Sequence, residues 1–502
     1  MLALAGKPMY FLELAVGQFG GVGPVALWNC CPISKGVGCA MVTVSLIVCI
    51  YYNVIMSYTV YYMVASFASE VPWSKCDPEW ADMDTCYVRG SITVNIYDIK
   101  NLALLFRLSL LSIYKKFSKK RHVLHLSSGI EDIGTVKWDL ALCLLFSWVV
   151  VVLCLVKGIK TSGKVVYFAA TFPYLILFIL LVTGLVQDGA LAGVLYFVTP
   201  SWERLLDVQV WQAAAGQMFF SLSVSMGGLI MYSSYNDFHN NVYRDALVVS
   251  VLDTITSIIS GMVTFSILGA MAHDLDVPIE QVVKEGPGLA FVAYPEALLR
   301  LPVPQLWSIL FFLMLFILGL DSEFALLENV LTSVSDEFTA LRNRKLTFCV
   351  ATAILCYFVG LPCVTYVKYQ YYLLNILFDV LQGGNYVLTL MDAYGGGIAV
   401  LFIAISECIG LIWIYGLHKI CDDLEFMLGH RPQLYWRITW AFFAPVILLA
   451  IHKPLRYEEY DYPDWADGVG WGLACLSMLQ IPIVAIITVF QQKGPSFKDC
   501  IK

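Results

Sequence analysis

Four stretches of this chain, Leu140–Val156, Val165–Gln187, Pro302–Leu320 and Leu346–Val367, run without one formally charged residue. Each is close to the roughly 20 residues that a helix needs to cross the hydrocarbon core of a bilayer. Inside that core no water satisfies the backbone, so only helices or closed barrels can span it. A barrel would be written as short alternating segments, whereas these runs are continuous. Further runs near residues 1–28, 37–68, 209–235, 245–272, 386–416, 434–451 and 469–490 raise the expected number of membrane helices to about eleven. Only 14% of the 502 residues are charged and 59% are apolar, against about 25% charged in soluble domains. With a net charge of −7, disorder, coiled coils and nucleic-acid binding driven by net charge are excluded.

The loops give an orientation. Lys157, Lys160 and Lys164, then Arg342, Arg344 and Lys345, then Arg431 and Arg437 mark cytoplasmic loops, because basic residues are retained on that side. Glu458, Glu459, Asp461, Asp464 and Asp467 fall on the opposite side. No signal peptide is evident, since Met1–Gly6 lacks a basic segment and the apolar stretch continues into Phe11–Val16. Residues 1–490 read as one transmembrane domain, interrupted by a long extracellular loop at 69–138 and followed by a cytoplasmic tail at 491–502. Most of the fifteen cysteines lie in the spans as small apolar packing residues. Cys76 and Cys86 instead flank a short polar stretch of the long outward loop, where an oxidising compartment favours a disulfide. Two free thiols are the alternative. The seven histidines show no zinc-like spacing and no HExxH or P-loop occurs, so metalloenzyme chemistry has no support.

Polar groups and helix breakers at membrane depth carry the function. One such segment is Gln217–Leu229, with hydroxyls at Ser221, Ser223 and Ser225 followed by Gly227 and Gly228. It reads either as an unwound stretch offering oxygens to a ligand or as a close helix contact through small residues. A second is Leu318–Glu328, where Asp321, Glu323 and Glu328 follow the uncharged run. Asp321 and Ser322 are suited to a hard monovalent cation; the bland alternative is that the helix reaches water here. Asp253 is a third intramembrane carboxylate with the same two readings.

Phe11–Phe19, Tyr51-Tyr52-Asn53, Lys157–Gly163, Gln217–Asn241 with its Ser234-Tyr235-Asn236, and Leu318–Glu328 together resemble the sodium- and chloride-dependent neurotransmitter and amino-acid symporters, nearest the glycine-transporter branch. The resemblance implies an all-α polytopic membrane protein with the inverted-repeat neurotransmitter:sodium symporter fold, multi-pass in the plasma membrane. It implies that Tyr52 holds the substrate carboxylate and that Phe220, Ser221, Ser223 and Met226 line the substrate pocket with Ser322, Glu323 and Leu326. Sodium ligands would be Ser221, Asp253, Leu318 by its carbonyl, Asp321 and Ser322. Chloride would meet Gln217, Ser221, Asp253 and Ser257. Asp392 matches the outer gate, and Tyr235 and Asp336 the inner gate.

Departures from the family pattern are as specific. The helix that precedes the segment beginning here near Leu2, and that donates the other sodium ligands, has no counterpart in these residues; on that reading residues 1–502 alone would not perform coupled uptake. Leu- and Phe-rich Asn101–Tyr114 with Lys115–Arg121, and Tyr366–Leu381, interrupt places where the family runs otherwise, while Ile438–Ile451 is short for a span. These suggest imperfect exon assembly, with a variant loop as the competing view. Asp253 stands where the family has an asparagine beside sodium and chloride; ionised, it would weaken chloride dependence, and kept neutral by burial it would behave like the amide. Glu323 replaces a small residue and would narrow the pocket, bond an amino group, or equally point into the inner vestibule. The expectation is a symporter, with no covalent chemistry, that moves a small neutral amino acid such as glycine with sodium and, less surely required, chloride. The rival is a non-transporting membrane subunit. The partners are the amino acid and the lipid bilayer, and no nucleic acid.

Overall fold

Helices carry the whole architecture, as the uncharged runs require. The computed structural model describes residues 1–74, 135–156, 159–282, 294–299, 303–338, 344–366, 384–445, 456–457 and 460–491, with residues 291, 301 and 341 between them. Cys76, Cys86, the 101–121 stretch, most of the 366–381 stretch and the 491–502 tail lie outside the described residues, apart from Tyr366 and Gln491.

A wide turn at Leu2–Gly6 leads into α1 (Lys7–Gly20), and the chain then bends by 84° into the short α2 (Pro24–Leu27). Helix α3 (Lys35–Ala65) is the centre of the bundle. Ile47, Val48, Cys49, Ile50 and Tyr51 are buried in unbroken succession, and five consecutive residues cover every face of a helix. A helix apolar all round is one surrounded by protein. After α3 come α4 (Trp138–Val156), α5 (Ile159–Leu185), α6 (Ala190–Val198), α7 (Val208–Ser221), α8 (Gly228–Ser233) and α9 (Val242–Leu275). Two long helices follow, α10 (Pro304–Glu337) and α11 (Lys345–Gly360).

Helices α3 and α10 lie antiparallel. Gln305 Nε2 donates to Ser69 O at 2.9 Å at one end, and Lys35 pairs with Glu337 at 2.8 Å at the other. The first of these ends is also where β1 (Thr135–Val136) pairs with β2 (Thr365–Tyr366), antiparallel. Helix α6 seats on α9 through glycines: a Cβ on Gly193 would fall 1.9 Å from Phe265 O. Small residues let membrane helices approach to backbone contact in this way. By contrast α4 and α5 present Leu142, Leu145, Phe146, Val149, Leu175, Phe178 and Val182 outward. An apolar face of that extent fits a lipid boundary, not water.

The chain closes with α12 (Tyr386–Leu428), α13 (Leu434–Ile438), α14 (Asp464–Met478) and α15 (Gln480–Gln491), with a hairpin of β3 (Arg456–Tyr457) and β4 (Tyr460–Asp461) before α14. Helix α12 has 43 residues, about twice a single crossing. It divides at Gly416, whose φ of 112° is open to glycine and not to other residues. Beyond it, Leu417–Leu428 buries Ile420, Cys421, Leu424 and Met427 along one stripe and exposes Asp422, Asp423 and Glu425 to differing degrees. That amphipathic segment extends past the expected 386–416 span.

Among the described residues eight helices are long and apolar enough to cross a membrane, or nine with the bent pair from Leu2 to Cys30. The expected span at 209–235 is not one helix, because it is interrupted between α7 and α8. That at 434–451 is described only to residue 445.

Candidate functional site

The interruption between α7 and α8 is the centre of the site. Helical bonds persist through Leu222 N to Met218 O and loosen to Val224 N to Phe219 O, both 3.1 Å. They resume only with Met231 N to Gly227 O. In between, Ser223 (φ 52°), Ser225 (φ 62°) and Gly227 (φ 83°) are left-handed. For serine that conformation costs on the order of 1–2 kcal/mol, so the surroundings must hold it. They do so by capturing the freed backbone groups. Ser225 N donates to Glu13 Oε1 at 2.6 Å, and Ser225 Oγ donates to Glu407 Oε2 at 3.0 Å. Met226 O accepts from Ser45 Oγ at 2.6 Å and from Asn329 Nδ2 at 2.9 Å. Of the two sequence readings of Gln217–Leu229, the unwound one is therefore what the chain adopts.

Four helices converge on this stretch: α1 brings Glu13, α3 Ser45, α10 Asn329 and α12 Glu407. All four side chains are fully buried. The sequence reading missed Glu13, Glu407, Ser45 and Asn329. Their only signal was that glutamates stood inside apolar runs, as at Leu12-Glu13-Leu14 and Ser406-Glu407-Cys408.

Ser221, at the last turn of α7, donates its Oγ to Asp253 Oδ1 on α9 at 2.6 Å. The two residues expected to serve sodium and chloride together are thus in contact. Gln217 and Ser257, the other expected chloride ligands, are exposed on the same two helices and hydrogen-bond to no described side chain or backbone group.

On α10 the acids are not a wet helix end. The helix continues to Glu337, and Glu323 and Glu328 are buried. Glu328 is held by Lys345 Nζ and faces Thr332 Oγ1 at 3.4 Å. Asp321 is half-buried, and its Oδ1 is enclosed without a hydrogen-bond partner. An enclosed carboxylate oxygen with an open lone pair, beside the Ser322 hydroxyl, is what a small cation shedding water would require. Leu318 lies one turn earlier, partly exposed. Tyr52 of α3 reaches this turn, its hydroxyl interacting with Ser322.

Phe220 packs towards Tyr51: a Cβ on Gly396 would meet both Tyr51 Oη at 2.6 Å and Phe220 Cζ at 2.9 Å. Asp392, exposed on the wide helical turn Met391–Ile398, lies near the Tyr51 hydroxyl. Leu326 and Met226 are buried and Ser223 is exposed.

The two residues expected at the inner gate, Asp336 and Tyr235, form no hydrogen bond with each other among the described residues. Asp336 Oδ2 accepts from Gly23 N at 3.2 Å, at the bend between α1 and α2, while Tyr235 stands exposed beyond α8. What joins that end is instead Gln18 of α1. Its Nε2 donates to Phe238 O and Asn240 O, and its Oε1 accepts from Asn236 Nδ2.

Comparison with known proteins agrees with this arrangement. The model of the sodium:neurotransmitter symporter family matches residues 1–492. The sodium- and chloride-dependent glycine transporter 2 of Xenopus laevis is 42% identical over 98% of this chain and 64% of its own length. Glycine transporter 1 of Xenopus laevis is 41% identical over the whole chain and 79% of its length. The human sodium- and chloride-dependent neutral and basic amino acid transporter B(0+) is 40% identical over the whole chain and 80% of its length. The chain thus spans just under two thirds of the first of these relatives. A match that runs through every described helix, together with an unwound segment held by four converging helices, leads to one conclusion: the chain belongs to the sodium:neurotransmitter symporter family.

Proposed function

We propose that this protein works as a sodium-coupled symporter of a small neutral amino acid, glycine first, in the plasma membrane, by alternating access. The observation that carries the reading is the unwound stretch Leu222–Gly227. Its backbone leaves the helix within an apolar run, is held by buried side chains, and directly follows Ser221, which is bonded to Asp253. Tyr52 with Ser322 would receive the substrate carboxylate, and Asp321 with Ser322 would strip and hold one sodium ion. Ser221 with Asp253 would serve a second sodium site. The names of the relatives support sodium, chloride and amino acids as the transported species.

Asp253 gives the reading an internal test. Its carboxylate, hydrogen-bonded to Ser221, supplies next to the chloride position the negative charge that chloride would otherwise bring. Chloride dependence should be weak in this protein and should rise in Asp253→Asn. The experiment is uptake of labelled glycine into vesicles under an imposed sodium gradient, with chloride kept or replaced by gluconate. Sodium-driven uptake that survives gluconate, and fails in gluconate for Asp253→Asn, supports the reading. Such uptake would also overturn the expectation that residues 1–502 alone are inactive. Absence of any sodium-driven uptake favours the non-transporting subunit.

A further inference from the structure

The chain between α5 and α7 carries an apolar surface that a connecting loop in water would not have. Helix α6 (Ala190–Val198) contains no charged residue, and Tyr196 is its only polar side chain. Its 9 residues make about 13 Å of helix, too short to cross a hydrocarbon core of roughly 30 Å. One face lies on α9: the rings of Phe197 and Phe265 are 5.1 Å apart, and a Cβ on Gly261 would fall 2.4 Å from Phe197 Cζ. The face turned away holds Leu191, Leu195 and Val198, which are 69%, 57% and 65% exposed. The exposure continues into the turn Trp202–Leu206, where Trp202 is 73% and Leu206 90% exposed. A surface patch of this kind marks something that covers it.

Depth says what covers it. Lys157, Lys160 and Lys164 put the start of α5 in the cytoplasm, so α6 follows the outer end of α5. It then runs back along α9, for Gly189 meets His273, Gly193 meets Gly269 and Phe265, and Phe197 meets Gly261. Asp274 and Asp276, just beyond, are exposed, and mark headgroup level. From His273 down to Gly261 is about 18 Å of helix, against about 15 Å for one leaflet's share of the core. Helix α6 therefore lies level with the outer leaflet. Its open stripe follows in the chain directly on Val182, Leu185 and Val186, exposed at the end of the lipid-facing α5. The segment satisfies its own polar groups: Thr199 Oγ1 donates to Leu195 O at 2.6 Å, and Trp211 Nε1 of α7 donates to Leu205 O at 2.8 Å. Charge returns with Glu203 and Arg204, both exposed beside Trp202. An indole between apolar and charged residues is the arrangement of a membrane interface. One charge of each sign matches a zwitterionic headgroup.

We propose that residues 190–206 are a phospholipid-binding element embedded in the outer leaflet, with the α6 stripe among acyl chains and Trp202 among headgroups. The element holds the start of α7, whose other end is the unwound stretch, at a fixed depth. The proposal stands apart from the transport reading, since it needs only a bilayer.

The experiment is photo-crosslinking of the purified full chain in phosphatidylcholine nanodiscs. The photoreactive residue p-benzoylphenylalanine is placed at Leu191, Leu195 or Leu206, one at a time. Leu175 on the lipid face of α5 and exposed Glu425 serve as references. After irradiation, intact-protein mass should show one added phospholipid at the three test positions, in yield comparable to Leu175 and several-fold above Glu425. Yields at the Glu425 level while Leu175 is labelled overturn the proposal and leave the stripe in water. A cross-link to a second copy of the chain, without lipid adduct, also overturns it. The depth of Trp202 is read with lipids brominated near the headgroup or near the chain end. Quenching of tryptophan emission should fall in Trp202→Phe, and fall more with the headgroup-proximal bromine. Quenching unchanged in Trp202→Phe would overturn the placing of the indole.

Discussion

The carbonyl of Met226 is the point at which the unwound stretch is most open to quantitative test. It accepts from Ser45 Oγ at 2.6 Å and from Asn329 Nδ2 at 2.9 Å, and Asn329 Nδ2 also donates to Ser45 Oγ at 3.0 Å. Ser45 and Asn329 are fully buried and Met226 is 4% exposed, so water does not compete. Ser45→Ala leaves the carbonyl with Asn329, and Asn329→Leu, close in shape, leaves it with Ser45. Each should cost about 1 kcal/mol, the net worth of one hydrogen bond when the acceptor keeps another. In the second case part is offset, because Asn329 Oδ1 is already without a partner. The double variant strands the carbonyl, and an orphaned buried acceptor costs a further 1–3 kcal/mol or so. The total should then reach about 3–5 kcal/mol, against about 2 from adding the singles. The assay is equilibrium unfolding in mixed micelles by added sodium dodecyl sulfate, followed by tryptophan fluorescence, without substrate. Additivity within about 0.5 kcal/mol would refute the reasoning, because independent sites behave that way. It would mean that the carbonyl has another donor, or that the stretch is not held from α3 and α10 together.

Two more tests concern packing and charge. Gly17→Ala would place a Cβ 2.1 Å from Ser233 Oγ and 2.5 Å from Ile230 O; since the second is backbone, α1 and α8 must part, at about 1–3 kcal/mol. Gly216→Ala meets nothing within 4 Å and should be neutral or gain up to about 1 kcal/mol of helix propensity, so melting temperatures of the two in detergent should move in opposite directions or differ clearly. Lys345→Met strips buried Glu328 of its cation; breaking a fully buried pair costs about 3–5 kcal/mol, and with Lys345 itself 41% exposed about 1–2 kcal/mol is expected after screening. Adding Glu328→Gln to Lys345→Met should recover most of the loss in the same unfolding assay, whereas a further loss would show that Glu328 is held by something other than Lys345.

Much of the architecture could be read from the residues because a bilayer allows so few solutions. The uncharged runs at Leu140–Val156, Val165–Gln187 and Leu346–Val367 overlap α4, α5 and α11, with ends that differ most at the start of α5 and the end of α11. The run at Pro302–Leu320 leaves open whether the helix reaches water where its charges begin, and α10 continues to Glu337. Charge in a sequence marks water only when the side chain reaches it, and Glu323 and Glu328 do not. The break after Ser221 was visible in its serines and glycines. Its competitor, a close helix contact, uses the same small residues and is excluded only by the left-handed backbone at Ser223, Ser225 and Gly227.

The site divides along the same line. By itself, the sequence determined that this chain lives in lipid, which residues could leave a helix there, and which carboxylates would be costly at that depth. Hydropathy and backbone hydrogen bonding act locally, so they can be read locally. The tertiary structure alone decided what answers those groups: Asp253 meeting Ser221 across 32 residues, Glu13 reaching Ser225 across 212, and Asn329 closing on Met226 across 103. It also decided that Glu323 meets a thiol and, among the described residues, no cation. Partners so far apart in the chain are set by how helices pack, and packing depends on shape over the whole bundle, which no single segment encodes.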